Sequence, residues 1–300
     1  MVSKGTLSRL TDRAMDLGFI AIGFSRPERP LFFDHYRTWL SHHKNADMSW
    51  LERNMELRED PSRLLKGCRT IISLAFPYPS QRPTTPDGCY VARYASPSHK
   101  DYHARLRKLG GELADTVKDI HRESRMRICV DSAPVLEKSV ACAAGIGFLG
   151  KNNLLIIPEY GSYFYLTEIL TTAPIEFQLM KPMENQCGTC TLCMDACPTG
   201  ALEKPFWLDA ARCLSYLSIE YRGKVEAEFG RKMGHCFFGC DRCQEACPFN
   251  RDSPPPKVSL PPTDEFLGMD EEAFKERFGK SAFARVGLEK IKSNIRAIRT

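Results

Sequence analysis

The sequence predicts an α/β domain, a small cysteine-rich domain after it, and a short helical tail. Three observations carry this reading. Over residues 1–175, short β-rich apolar runs alternate with segments of helical periodicity. Nine of the thirteen cysteines then crowd between Cys187 and Cys247. Finally, Pro254-Pro255-Pro256 and Pro261-Pro262 set off a charged, helix-patterned end. The boundaries fall at 1–175, 176–255 and 256–300.

Taken in order, Leu7, Leu10, Ala14 and Leu17 form a helical stripe over residues 6–17, and the apolar run 19–24 ends at Ser25 as a buried strand. Helical patterns follow over 31–43 and 46–57, and Pro61 opens a short helix that Gly67 ends. Residues 69–76 are β-rich until Pro77 and Pro79 stop them, and the Pro- and Gly-rich stretch 79–89 reads as a loop. A long helical pattern over 101–125 leads to a strand, 126–130, that ends at Asp131. A helix over 136–144, a glycine-rich turn and two β-like runs, 154–157 and 163–170, close the domain.

Composition bounds the setting. Hydrophobic content of 43% and charged content of 26% are ordinary for a soluble globular protein. The N-terminal stretch carries acidic residues and no apolar h-region, so it reads as neither a signal nor a transit peptide. No run approaches the ~18 apolar residues that a membrane span needs. Clustered CxxC spacing without an export signal points to the reducing cytoplasm. A net charge of +5 is compatible with an anionic partner without requiring one.

The cysteines carry the sharpest signal. Cys187, Cys190, Cys193 and Cys197 followed by Pro198 have the spacing C-x2-C-x2-C-x3-C-P. This is the bacterial ferredoxin run, in which three thiolates hold one [4Fe–4S] cluster and the fourth reaches across to another. A second run, Cys240, Cys243, Cys247 and Pro248, lacks its first member, because Phe237 stands there. Crossed ligation then gives Cys187, Cys190 and Cys193 with Cys247, and Cys240 and Cys243 with Cys197 and one remote ligand. Cys213 and Cys236 are both candidates for the vacancy. A zinc site is the competing reading, but zinc knuckles do not carry the paired Cys-Pro endings. Cys68, Cys89, Cys129 and Cys142 have no partner spacing and read as unligated thiols.

Other candidates are weaker. Gly145, Gly147 and Gly150 before Lys151 satisfy two phosphate-loop patterns on paper. A helix precedes them and a strand follows, the reverse of the required context, and Asn152 replaces the P-loop Ser or Thr. A bent loop allowing close backbone approach fits better. Asp131, at a strand end, is either a ligand-facing carboxylate or, with Ser132, a cap for the following helix. Asp101-Tyr102-His103 begins like a corrinoid-histidine loop, but Leu106 stands where glycine is needed.

Several blocks together resemble one family: residues 91–95 (VARYA), 101–103 (DYH), 131–137 (DSAPVLE), 145–152 (GIGFLGKN), both cysteine runs, and 213–220 (CLSYLSIE) between them. The chain resembles the epoxyqueuosine reductases, iron–sulfur and cobalamin enzymes of queuosine synthesis in tRNA. The resemblance implies a nitroreductase-like cobalamin-binding domain followed by a two-cluster ferredoxin-like domain. It selects Cys213 as the remote ligand and leaves Cys236 free. It also implies a corrinoid bound without a histidine ligand, with Arg58, Asp131, Lys151, Asn152, Asn153, Ser215 and Asp241 as candidates for lining its site. Electrons then pass singly from the clusters to the cobalt, and Asp131 is the acid for the departing epoxide oxygen. That role requires burial to raise its pKa from the ~3.9 of a free aspartate.

The implied partners are the tRNA anticodon stem-loop and a small electron donor of flavodoxin or ferredoxin type. Many members carry a further helical-repeat domain, of which residues up to Thr300 hold only the beginning. From Lys280 to Thr300 six basic residues stand against one acid, Glu289. Arg285, Lys292, Arg296 and Arg299 fall on one side of a helix expected over 283–298, joined by Arg222 and Lys224. They form either a phosphate-binding strip or a solvated face on a packed helix. Rival functions are a reductive dehalogenase-like corrinoid enzyme and a plain electron carrier.

Overall fold

The computed structural model describes residues 2–78, 81–95, 101–250 and 256–299. Pro79, Thr300 and the 251–255 stretch with Pro254 and Pro255 lie outside the described residues. The central sheet has four strands in the order Ala21–Ser25, Thr70–Pro77, Phe164–Thr171, Met126–Cys129. Every neighbouring pair is antiparallel. The two central strands pair along their full length, from Thr70↔Thr171 to Pro77↔Phe164. Thr70–Phe76 is buried throughout, which is why it reads as one apolar run and not as an alternation.

Helices cover both faces. Val2–Asp16 and Tyr102–Ile120 pack Leu10, Ala14, Leu106 and Leu113 onto Ile72, Leu74 and Ile169. The short Glu137–Ala143 helix lies on the opposite face, where Val140 meets Ile71 and Leu170, and Ala141 meets Ala75. It can approach so closely because Gly23 has no side chain: a Cβ there would stand 2.4 Å from the carbonyl oxygen of Ala144.

A second sheet orders Cys236–Phe238, Tyr90–Val91, Pro83–Thr84 and Lys257–Val258. Within the 79–89 stretch, expected to be a loop, Pro83–Thr84 is therefore a strand, paired across the Gly88 turn with Tyr90–Val91. Two-residue strands carry too little periodicity to be seen in sequence. Beneath this sheet Val91, Phe237, Phe238, Phe266, Phe283 and Ile291 share one core, so residues 83–95 pack with the tail as well as with the first domain. The expected helix over 46–57 is two short pieces, Ser49–Leu51 and Met55–Glu59, broken where Asn54 turns left-handed at φ 55°. The terminal helix starts at Leu288 and not at 283, because Gly287 takes φ 81° after a 3-10 turn over Ala282–Arg285. Among the described residues, no helix is long and apolar enough to cross a membrane.

Gly23→Ala should push the Glu137–Ala143 helix off the sheet and cost ~1–3 kcal/mol, as overpacking does. Chemical denaturation of the two proteins measures this, and an unchanged midpoint would contradict the packing at this contact.

Candidate functional site

The folding of the cysteine-rich region brings its sulfurs into two groups. Two one-turn helices, Leu192–Asp195 and Arg242–Glu245, pack against each other, each inside one CxxC…CP run. In the first group, Cys193 is raised by burial and then by the neighbouring charges of Cys187, Cys190 and Cys247. Cys187 and Cys247 also share an apolar cluster with Phe148 and Phe249. In the second group, Cys243 is raised by burial and then by Cys240 and Cys213. Cys213 is raised by burial and feels Cys197 among its neighbours, and it packs in one cluster with Cys240. These are the neighbours that crossed ligation would use.

Cys213 precedes the Leu214–Ile219 helix, and the backbone N–H groups of Ser215 and Tyr216 point at its sulfur. Cys197 is lowered despite its burial, by a bond to Thr199 and by backbone N–H groups of Leu202, Thr199 and Ala201. Cys236 differs: it is buried, and its Sγ donates to the carbonyl oxygens of Gly239 (3.3 Å) and Phe238 (3.6 Å). Among the described residues, no three His, Cys, Asp or Glu side chains converge as ligands of a single metal ion. A cubane takes one thiolate at each iron, so its ligands need not converge on a point.

The glycine-rich stretch is a tight hairpin, Phe148–Leu149 against Leu155–Ile156, and not a phosphate loop. A Cβ on Gly147 would meet the Ile156 carbonyl oxygen at 2.3 Å. The hairpin turn is the joint to the cysteine-rich region. Lys151 Nζ donates to the carbonyls of Gly188 (2.6 Å) and Cys190 (2.9 Å), and Asn152 Nδ2 donates to the Cys243 carbonyl (3.4 Å).

Beside this joint opens a cavity of about 1010 Å³ with aromatic walls that include Tyr36, Trp39, Trp50 and Phe206. Of the expected lining residues, Arg58, Asp131 and Asn153 line it. Lys151 and Asn152 instead clamp the two regions together, Ser215 faces Cys213, and Asp241 accepts the Arg93 N–H at 2.7 Å. Burial raises Asp241 to about 6. Among the described residues, three of the six non-glycine residues with positive φ, Asp131, Asn153 and Phe206, line the cavity. Backbone strain of this kind concentrates at functional sites.

Asp131 is not a helix cap. The residue at that position is Leu136, with no side-chain capping bond. Asp131 Oδ2 accepts from Tyr102 Oη at 3.0 Å and lies 3.1 Å from His103 Nε2, while His103 Nδ1 stands 2.8 Å from Asp101. Tyr102 is held by stacking on Tyr165 at 4.2 Å, whose hydroxyl donates to the Tyr94 carbonyl. These contacts correct one expectation. The bond to His103, followed by the one to Tyr102, outweighs burial and holds Asp131 below its ordinary range. His103 is correspondingly raised, first by Asp131 and further by Asp101, against burial. At neutral pH the proton of this pair rests on the imidazole side.

The sequence reading passed over His103 as a ligand-type residue and missed Glu137 and Glu168 altogether. Glu137 lines the cavity, and its Oε1 accepts the Asp131 N–H at 2.6 Å. Glu168 is a lone acid in the strand FYLTEILT, and that isolation was the available signal.

The tail cations do not gather into one strip. Arg285 pairs with Glu220 and, with Arg222, lines the cavity. Arg299 pairs with Asp264 (2.7 Å), and Lys292 is largely buried near Glu289. Lys224 and Arg296 are exposed. Acids pair with Arg285, Lys292 and Arg299, which the basic count had suggested were free.

Because Asp131 is the largest cause of the raised His103, Asp131→Asn should move the His103 titration down toward 6.5. Any stability the charged pair gives is present below the unfolded imidazole pKa and is lost as pH rises through the raised folded value. NMR titration of histidine-labelled protein checks this, and an unmoved His103 would contradict the pairing.

A family model described as epoxyqueuosine reductase QueG, DUF1730 matches residues 58–132, and one for a 4Fe-4S double cluster binding domain matches residues 186–250. The epoxyqueuosine reductase of Pseudomonas aeruginosa is 36% identical over 301 residues, covering 95% of this chain and 82% of that protein. The solved epoxyqueuosine reductase of Streptococcus thermophilus is similar with a TM-score of 0.88 at 30% identity, over 97% of this chain and 80% of that one. A crystal structure of epoxyqueuosine reductase with a tRNA-Tyr epoxyqueuosine-modified stem loop gives 0.85 at 32% identity, over 99% and 81%. With cysteines grouped for two clusters beside a cavity holding an acid pair, and with relatives of this likeness over nearly its whole length, the chain belongs to the epoxyqueuosine reductase family of oxidoreductases.

Proposed function

We propose that this chain reduces epoxyqueuosine to queuosine at the wobble position of tRNA. The observation that carries the reading is the Asp131–His103–Tyr102 constellation on the wall of a large cavity beside two grouped sets of cysteines. Taking the oxygen from an epoxide to leave a carbon–carbon double bond consumes two electrons and two protons and releases water. Cys187, Cys190, Cys193 and Cys247 hold one [4Fe–4S] cluster, and Cys197, Cys213, Cys240 and Cys243 the other, each a one-electron carrier. Cys236, bonded to backbone carbonyls, holds neither.

The cavity fits a cobalamin. Its volume lies at the upper end of the ~300–1,000 Å³ usual for small-molecule sites, its walls are aromatic, and polar groups sit at its edge. Arg58, whose guanidinium stands 5.8 Å from the Tyr36 ring, and Asn153 would hold its rim. When bound, the corrinoid supplies a strongly reducing cobalt centre for the epoxide carbon. Both nitrogens of His103 are engaged by Asp101 and Asp131, so this histidine is not a ligand to it.

The protein's own part is proton placement. The Asp131–His103 pair holds a proton on the imidazole, bonded to Asp131 Oδ2, from which it can pass through the carboxylate to the departing oxygen, and Tyr102 fixes that carboxylate. Arg222 and Arg285 at the cavity, with exposed Lys224 and Arg296, suit the phosphates of an anticodon stem-loop. A flavodoxin- or ferredoxin-type donor would reach the first cluster over the exposed Gly188, Thr189 and Thr191. A tRNA substrate and reduced clusters place the work in the cytoplasm.

In anaerobic turnover on an epoxyqueuosine stem-loop, Asp131→Asn should lose ~10²–10⁴-fold in kcat while cobalamin stays bound. Full activity would remove Asp131 from the chemistry. Intact protein should carry about eight irons, two cubanes' worth. Cys213→Ala should lose about half of them, and Cys236→Ala none. The opposite outcome would reverse the ligand assignment.

A further inference from the structure

Glu168 lies in mid-sheet on the Phe164–Thr171 strand, paired with Ser73 on one side and Cys129 on the other, with no solvent exposure. Among the described residues, no hydroxyl, amide or cationic group donates to either of its carboxyl oxygens. What faces it is the carboxyl of Glu137, from the first turn of the helix packed on that side of the sheet. A hydrogen bond between two carboxyl groups exists only if one of them carries a proton, because an ionised carboxylate is an acceptor alone. A buried carboxyl with no other donor costs several kcal/mol if left charged and unpaired. The same Glu137 carboxyl accepts the backbone N–H of Asp131 at 2.6 Å, which pins the Asp131 loop where it takes its left-handed φ of 56°.

We propose that Glu137 is a positioning residue: it shares one proton with Glu168, is thereby fixed against the sheet, and latches the Asp131 loop through the Asp131 N–H. The inference rests on the reading of Asp131 as part of the reacting acid pair. Without the shared proton, two carboxylates would repel each other. Glu168 is locked in its strand, so Glu137 must swing away and release the loop.

The charged and titratable groups around the pair are Asp131 from the loop, Lys138 from the same helix, and Cys129 beside Glu168 on the sheet. Lys138 is occupied with the Asn153 carbonyl at 2.7 Å. Burial, followed by Asp131 for Glu137 and by Glu137 for Glu168, holds both carboxyls above their ordinary range. The proton is therefore present at low and neutral pH, and the latch opens as pH rises through the raised values.

Amide hydrogen exchange of residues 130–136 in the cluster-loaded protein tests this, read as protection after correction for the intrinsic base dependence. Glu137→Ala should lower protection there at least ~10-fold. Glu137→Gln should keep it, since the amide still accepts from Asp131 and now donates to Glu168 without needing a shared proton. Wild-type protection should fall as pH rises above neutrality, and that of Glu137→Gln should stay level. In turnover, kcat should fall for Glu137→Ala with KM little changed. Unchanged protection in Glu137→Ala, or Glu137→Gln as open as Glu137→Ala, would overturn the latch. Lost protection with kcat intact would overturn the catalytic reading of Asp131 and leave the latch standing.

Discussion

The arrangement depends on one crossing. Of two short cysteine runs, separated by a long intervening segment, the first sets Cys187, Cys190 and Cys193 beside Cys247 of the second, and the second sets Cys240 and Cys243 beside Cys213, which also neighbours Cys197 of the first. That exchange forces the chain from Cys187 to Cys247 to fold back on itself, and it packs the Leu192–Asp195 and Arg242–Glu245 helices face to face. Lys151 and Asn152 fasten the first domain to both runs through the backbone carbonyls of Gly188, Cys190 and Cys243. The cavity opens beside that fastening.

The second constraint is where protons rest. An isolated buried aspartate would be a plausible acid, but Asp131 is not isolated. His103 and Tyr102 converge on one of its oxygens, and charge pairing outweighs desolvation. The acid is therefore a pair, in which one bond lowers the carboxylate and raises the imidazole. Behind it, Glu137 and Glu168 show the opposite balance: there is no cation close enough to offset burial, and a proton stays. Two carboxyl environments with opposite outcomes lie side by side, one at the cavity and one reaching behind it into the sheet, and the Asp131 amide links them.

Much of this was legible in the sequence, for identifiable reasons. Covalent spacing dictates cluster geometry, so the cysteine grouping could be read without any fold. The buried strands Thr70–Pro77 and Phe164–Thr171 announced themselves as β-rich runs. What stayed hidden depends on contacts between distant segments. The sheet that joins Tyr90–Val91 to Cys236–Phe238 uses strands too short for periodicity. The meeting of His103 with Asp131 needs the start of the Tyr102–Ile120 helix to cross the end of the Met126–Cys129 strand. Basic residues of the tail looked free because their partners, Glu220 and Asp264, lie elsewhere in the chain. Lys151 and Asn152 were expected among the residues lining a ligand site, and the partners they have here are the backbone carbonyls of the cysteine loops.

Conversion of the epoxide to the alkene on tRNA is tested most directly by mass spectrometry of nucleosides digested from the tRNA of cells lacking the protein. Epoxyqueuosine should stand in place of queuosine there, and restoring the intact chain should reverse this. Queuosine persisting at its normal level in the deleted strain, with no epoxyqueuosine accumulating, would contradict it.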